Sequence, residues 1–427
     1  FFEDPFKPSE NLLNSSNGLN PLLQHPLMVI HPPLLYLGYI GFSVPFAFAI
    51  SALINKKIDA DWIRTTRRWT LFPWGCLSIA IVLGGRWAYL ELGWGGYWAW
   101  DPVENASLFP WLTGTAYLHS VLIQEKKNML KGWNVILIMM TFTLTIFGTY
   151  LTRSGIISSI HAFAATDLGI WFFGFIVIIV LFNIVILYSN KDILQSQNKL
   201  DSVISRESGF LFNNMLFVAI CIAVLWGTLY PVISEALTGT QIMLGPSYFN
   251  KVIQPFGIVL VLLTGIGPLL SWRRTSTKSI IKNFLKPFVI SIIVTTMWAI
   301  IFKVFTFYPL IFTLLVLFVM LVIFFEFYRA ISTRVRIKNE NYLFALSMLF
   351  KKNRTRYGGY IVHLAIMIMI IGFIGKAFDK EADISITPNE IIELENYKIH
   401  YKKYWLETPD TNPNNRENHF AKIISLE

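Results

Sequence analysis

The segment Trp94-Gly95-Gly96-Tyr97-Trp98-Ala99-Trp100-Asp101-Pro102-Val103-Glu104-Asn105-Ala106-Ser107 decides how this chain is read. It gathers three Trp, one Tyr, two acids, two Gly and a Pro between two apolar runs, each long enough to cross a bilayer. Trp and Tyr favour membrane interfaces, where the ring stays in an apolar layer and its polar edge stays wet. That preference accounts for one or two of the rings. It does not account for the glycine pair beside them, or for the Asp-Pro and Glu-Asn that follow. Glycine lets a flat ligand approach the backbone closely, and clustered aromatic faces cover a large planar ring. The segment reads as a platform for a planar cofactor at a membrane surface.

The runs on either side set the fold class. Hydrophobic residues make up 54% of the 427-residue chain and charged residues 15%, against roughly 25% charged in soluble domains. A transmembrane helix needs about 20 mostly apolar residues. About ten such runs occur, over 33–54, 70–90, 106–124, 133–152, 169–189, 210–231, 255–272, 287–304, 308–328 and 358–377. The expected fold is an all-α polytopic membrane protein. Loops between the runs alternate in charge, so the net charge of +10 follows from the positive-inside rule and does not call for nucleic acid. Basic loops such as 55–69 and 329–357 are expected to face inward; the Trp-rich segment and both chain ends are expected to be exported. The resulting division is an exported segment 1–32, transmembrane helices over 33–328 with the exported platform at 91–107, and an inner loop 329–357 carrying an interfacial helix. A tenth span at 358–377 and a partial exported β domain at 378–427 follow. Within that tail, Ala382–Thr387 and Tyr397–Tyr401 alternate apolar with polar as short strands do. Only Cys76 and Cys221 occur, both in apolar runs and with no C-x-x-C, which argues against thiol–disulfide exchange by this chain.

Topology sorts the seven histidines. His119 and His363 each lie about five residues from the inner end of a span, roughly 7 Å into the membrane at 1.5 Å per residue. Ionisable groups at such depth point to function. Two imidazoles at one depth suit the axial positions of a haem iron; hydrogen bonding between helices is the plainer alternative. His31, in Ile30-His31-Pro32-Pro33, and His161, in Ser159-Ile160-His161-Ala162-Phe163, form a second pair on the side of the Trp platform. They suggest an iron porphyrin held from both faces, with solvated loop histidines as the alternative. His25, His400 and His419 read as ordinary polar-segment residues. Arg153 and Arg86, at outer helix ends, suit either a haem propionate or snorkelling to the interface. Asp101 and Glu104 suit either the second nitrogen of a ligand His or the cap of a helix beginning near Ser107.

Together these residues resemble the haem-handling membrane proteins with a tryptophan-rich WWD signature, and among them the CcmF family, the haem lyase subunit of System I cytochrome c maturation. Besides the platform, the resemblance rests on Asn20-Pro21-Leu22-Leu23-Gln24-His25-Pro26, His31-Pro32-Pro33-Leu34-Leu35-Tyr36, Leu118-His119-Ser120, Thr152-Arg153-Ser154-Gly155, His161-Ala162-Phe163, Gly245-Pro246-Ser247-Tyr248-Phe249-Asn250 and Gly358-Gly359-Tyr360-Ile361-Val362-His363. It runs from about residue 20 to 380. It implies that His31 and His161 are axial ligands of a transient haem lying against Trp94, Trp98 and Trp100. It implies equally that His119 and His363 hold a resident haem b. It further implies haem delivery by the chaperone CcmE, a CcmH-type partner, apocytochrome c as substrate, and a bacterial inner membrane, with the mitochondrial inner membrane as the alternative. Against the family pattern, the chain is expected to lack upstream helices and the end of the exported domain, and Ala99 stands where an aromatic residue is frequent.

The chemistry so implied is addition of two thiols of a C-x-x-C-H substrate across the haem vinyl groups. The resident haem would keep the reacting one ferrous, with quinol as a candidate donor. Two other classes stay open from sequence. A haem exporter or carrier would not need the two intramembrane histidines. A b-type electron-transfer protein would not need the outer pair or the platform.

Overall fold

In lipid every backbone N–H and C=O must find its partner inside the segment, which a helix achieves. A computed structural model describes residues 21–59, 61–92, 96–157, 159, 168–196, 198, 200, 202–379, 385, 387, 390–394 and 397–401. Its helices are α1 (Pro26–Gly41), α2 (Ser43–Ile54), α3 (Asp61–Glu91), α4 (Pro102–Lys127), α5 (Lys131–Ser154), α6 (Leu168–Ser189), α7 (Lys191–Leu194), α8 (Arg206–Thr238), α9 (Pro246–Ile266), α10 (Thr277–Phe302), α11 (Phe307–Lys338), α12 (Tyr342–Lys352) and α13 (Arg354–Ile374). Strands β1 (Ile391–Leu394) and β2 (Tyr397–His400) follow. Two compact units result, residues 1–370 and 371–427. The first is the helical bundle. The second holds the antiparallel hairpin, in which Ile391 pairs with His400 and Leu394 with Tyr397.

Among the described residues nine segments are long and apolar enough to span a bilayer, and the protein is a helical, multi-pass membrane protein. The sequence count of ten differs by α4, which is long enough but carries many polar residues. The reason is its position. Phe109 and Leu112 belong to a core shared with α5, α8 and α9, while Ala116, Tyr117 and Val121 belong to one shared with α1, α2, α3 and α5. Helices, not lipid, surround it, so polar side chains there can be satisfied across interfaces. Trp74 Nε1 donates to Thr115 Oγ1 at 2.9 Å, Asn134 Nδ2 to Gln124 Oε1 at 2.6 Å, and Asn105 Nδ2 to Thr228 Oγ1 at 3.0 Å. By contrast α6 is apolar all round and turns most of its side chains outward.

Three expected boundaries shift. The first span begins seven residues early, at Pro26, and breaks near Phe42, because Pro45 has no N–H to give Gly41. About a third of the inner loop 329–357 is helical continuation of α11 to Lys338; the expected interfacial helix is α12. In the tail, Tyr397–His400 is a strand, but its partner is Ile391–Leu394; of 382–387 only residues 385 and 387 are described, and neither is in a strand.

Candidate functional site: two histidine sites

Helix α1 begins at Pro26, a residue suited to a first turn because it lacks the N–H that would be left unpaired there. His25 caps it: Leu27 N donates to His25 Nδ1 at 3.1 Å. Sequence reading took His25 for an ordinary polar-segment residue and missed its role as a cap. One and a half turns on, the half-buried His31 sits with Nδ1 2.8 Å from the carbonyl oxygen of Ala80 on α3. A carbonyl only accepts, so Nδ1 carries the proton and Nε2 keeps its lone pair. The ring lies directly over Gly84, where an added Cβ would come within 2.6 Å of His31 Cε1. At the next residue, Gly85, an added Cβ would meet the carbonyl oxygen of Tyr97 at 2.9 Å. One Gly-Gly step on α3 therefore seats both the His31 imidazole and the backbone of the Trp-rich segment. Sequence reading stressed Gly95-Gly96 instead; Gly95 lies outside the described residues, and nothing stands within 4 Å of a Cβ at Gly96.

From Tyr97 the chain turns through Trp98 and Trp100, whose rings meet edge to face with centroids 6.0 Å apart. Trp100 has φ of 60°, rare and strained for a bulky residue. Five contacts hold it there. Its ring stacks on Phe249 at 5.0 Å and 9°, and its Nε1 donates to Asn250 Oδ1 at 3.0 Å. Glu104 Oε2 accepts from the backbone N–H groups on either side, Ala99 at 2.9 Å and Asp101 at 3.1 Å, and Asn105 Nδ2 donates to the Trp100 carbonyl at 3.0 Å. Trp98 Nε1 is buried with no hydrogen-bond partner.

The acids thus take the capping role. Asp101 and Glu104 form a capping box on α4, with Pro102 at its first position. The helix starts at Pro102, five residues before the expected Ser107. Asp101 Oδ2 also accepts from Ser159 Oγ at 2.6 Å, two residues before His161 in sequence. His31 gives its second nitrogen to Ala80 and not to an acid. Arg153 lies in the last turn of α5, and Arg86 is an exposed residue near the end of α3. Trp94 and His161 lie outside the described residues.

The second site forms between α4 and α13. The rings of His119 and His363 are nearly parallel, 9° apart, with centroids separated by 6.2 Å. His119 is fixed as His31 is, with Nδ1 donating to the Thr115 carbonyl at 2.8 Å. His363 Nδ1 is buried and has no partner. Phe210 and Phe217 of α8 flank His119 at 5.9 Å and 6.2 Å. Two metal–imidazole bonds of about 2 Å each, with half a ring at either end, span about 6 Å, so this separation suits one metal ion between two imidazoles. Among the described residues no three His, Cys, Asp or Glu side chains gather to hold a bare ion. A two-imidazole pair between aromatic walls fits a metal whose other ligands come with a macrocycle.

The family model described as Cytochrome C assembly protein matches residues 8–158. The CcmF protein of Pseudomonas aeruginosa is 37% identical over 383 residues, 89% of this chain and 57% of that protein. The CcmF of Escherichia coli is 42% identical over 282 residues, covering 66% of this chain and 43% of the relative. This chain is a CcmF relative. Among solved structures, "Cytochrome c Heme Lyase CcmF" superposes with a TM-score of 0.70 at 31% identity, over 88% of this chain and 56% of that one. The chain spans about half the length of the curated CcmF proteins it matches. Ala80, Gly84, Phe249 and Asn250 carry site geometry that sequence reasoning assigned to no role. A glycine in an apolar run gives no signal of the ring packed on it, and Phe249-Asn250 lies about 150 residues from the Trp it holds.

Proposed function

We propose that the chain is a haem-handling component of cytochrome c maturation in a bacterial inner membrane, with a resident haem b between His119 and His363. Haem bound there supplies a one-electron carrier within the membrane. A transient haem is the substrate of the outer site. There His31 and His161 are its axial ligands, Trp94, Trp98 and Trp100 cover its face, and Arg153 meets a propionate. CcmE delivers it, a CcmH-type subunit presents apocytochrome c, and quinol donates electrons.

The chain's own groups contribute orientation. Each thiol adds across one vinyl group: a C–S bond forms at one carbon and the thiol hydrogen passes to the other, with no net change in oxidation state. Rigid alignment of such partners can remove about 7–11 kcal/mol of a barrier. The Gly84-Gly85 step and the clamp on Trp100 supply rigidity of this kind on the described side of the outer site. Asp101, through Ser159, steadies the segment leading to His161.

The observation that carries the reading is the parallel His119–His363 pair at 6.2 Å. The test is the haem content and optical spectrum of the purified full chain beside four variants. His119→Ala and His363→Ala should lose a low-spin b-type signal. His31→Ala and His161→Ala should keep it while covalent attachment stops in cells supplied with the remaining maturation machinery. Wild-type spectra in the first two variants reject the resident haem. Normal attachment in the last two rejects the outer site. Topology is checked with single cysteines at Asp59 and Tyr97, since native Cys76 and Cys221 are buried: outside reagent should label Tyr97→Cys and spare Asp59→Cys.

A further inference from the structure

Cations gather where α4 and α13 pass the histidine pair. Lys126 follows His119 by seven residues and Arg356 precedes His363 by seven. Seven residues are almost two helical turns, so each cation returns to the face of its histidine about 10 Å along the axis. Both displacements lead to the same end of the bundle. The Lys126 ammonium stands 5.1 Å from the Trp272 ring centroid and the Arg206 guanidinium 5.3 Å from it. Arg206 in turn lies within charge–charge range of Arg356, Glu207 and Glu326.

The carboxylates present do not neutralise this group. Glu326 engages Arg356 at 2.5 Å, and Glu207 engages Lys127 at 3.6 Å. Arg206 spends two donors on backbone carbonyls, those of Leu270 and Pro268. Among the described residues Lys126 has no carboxylate within ion-pair distance. A buried hydroxyl lies beside them. Tyr360 is 3% exposed, its ring centroid lies 5.9 Å from the Arg356 guanidinium, and its hydroxyl interacts with the Arg356 side chain. Between the histidines and the cations runs an aromatic wall. The His119 ring is 5.9 Å from Phe210, and Phe210 is 6.4 Å from Trp272. Iron ligands at one end, apolar rings along the side and an excess of cations over carboxylates beside a buried hydroxyl at the other match a flat amphipathic dianion that enters carboxylates first.

We propose that Lys126, Arg206, Arg356 and Tyr360 form the carboxylate subsite for the propionates of the membrane haem, fixing its propionate edge at the Lys/Arg-rich end of the bundle. The inference rests on the reading of His119 and His363 as haem ligands. Charge-assisted bonds then set which way round the ring enters, and imidazoles alone cannot do so.

The test titrates the haem-free full chain with haem b and with haem b dimethyl ester, which keeps the iron and the vinyl groups and loses both charges. Wild type should bind the acid about ten- to a hundredfold more tightly than the ester, the range expected for charged hydrogen bonds. The Lys126→Gln/Arg356→Gln double variant should bind the ester as wild type does and lose the preference for the acid. Arg356→Lys, which keeps the charge, should retain most of it and controls for misfolding. Arg206 stays unchanged, because its bonds to the 268–270 turn hold the bundle. Equal affinity of wild type for acid and ester, or an undiminished preference in the double variant, overturns the subsite. Failure of the parent reading looks different: His119→Ala would then bind both ligands with the wild-type spectrum.

Discussion

The described histidines of the two sites are held to different degrees. His31 is locked in place by chain alone: its Nδ1 is bonded to Ala80, its ring is bedded on Gly84, and the neighbouring Tyr97 backbone is bedded on Gly85. At the other site His119 is equally fixed, but His363 leaves a buried nitrogen without a partner. Its helix meets the bundle through large side chains such as Tyr357 and Tyr360, which touch Phe327 at 5.2 Å and 6.0 Å. A buried unpaired polar group costs about 1–3 kcal/mol, a cost that bonding to an occupant would remove. His31, the described histidine of the outer site, carries no such cost at Nδ1. The contrast therefore matches a resident haem at one site and a haem in transit at the other.

Removing the proposed resident haem should be the largest perturbation. A ligand at a thousandfold excess over its dissociation constant stabilises the folded state by about 4 kcal/mol. Stripped protein should melt well below the loaded form, and proteolysis should begin near α13. The same comparison for a haem captured at the outer site should show a small shift. If stripping leaves the melting curve and the cleavage pattern unchanged, α13 does not depend on an occupant and the contrast between the sites fails.

Gly84→Ala attacks the outer site. The new methyl would lie 2.6 Å from His31 Cε1, so the ring must shift, which strains its bond to Ala80. Overpacking of this kind costs about 1–3 kcal/mol. The resident haem spectrum should persist while covalent attachment falls as it does in His31→Ala. Gly96→Ala, with open space at its Cβ, is the matched control and should do little in the absence of haem. Full attachment by Gly84→Ala would show that His31 need not be held rigidly.

What sequence could say about these sites follows from the range of each signal. Apolar runs and charged loops are local, so the spans and the equal depth of His119 and His363 were legible. That the two rings face each other was not, because adjacency of helices separated by some 240 residues leaves no local mark. The start of α4 was legible and was misread: Asp101-Pro102-Val103-Glu104 is a capping box with Pro at the first turn, yet the aromatic crowd around it drew the helix start to Ser107. Gly84 and Asn250 stayed silent, since each acts through one contact with a distant ring. The polar residues of α4 carried a message in reverse. They lowered its apolarity because three neighbouring helices, and not lipid, take up its hydrogen bonds.

The smallest effect tests how the platform is held. Trp100 stands at φ of 60°, a conformation that costs an L-residue roughly 1–2 kcal/mol. Relief of that strain favours Trp100→Gly, while loss of the Phe249 stack, about 0.5–1.5 kcal/mol, and of the bond to Asn250 oppose it. The single variant therefore mixes terms of opposite sign and decides nothing. A double-mutant cycle separates them. Trp100→Phe removes the Nε1 donor and keeps a ring on Phe249; Asn250→Ala removes the acceptor; the double variant removes both. If the indole–amide bond ties the Trp segment to α9, the coupling should be about 0.5–1.5 kcal/mol, and either single variant should weaken haem capture at the outer site without touching the resident haem. Additive effects would mean that Glu104 and Phe249 alone hold the turn. Asn250 would then drop out of the outer site, and rigidity there would rest on the α3 glycines and the α4 cap.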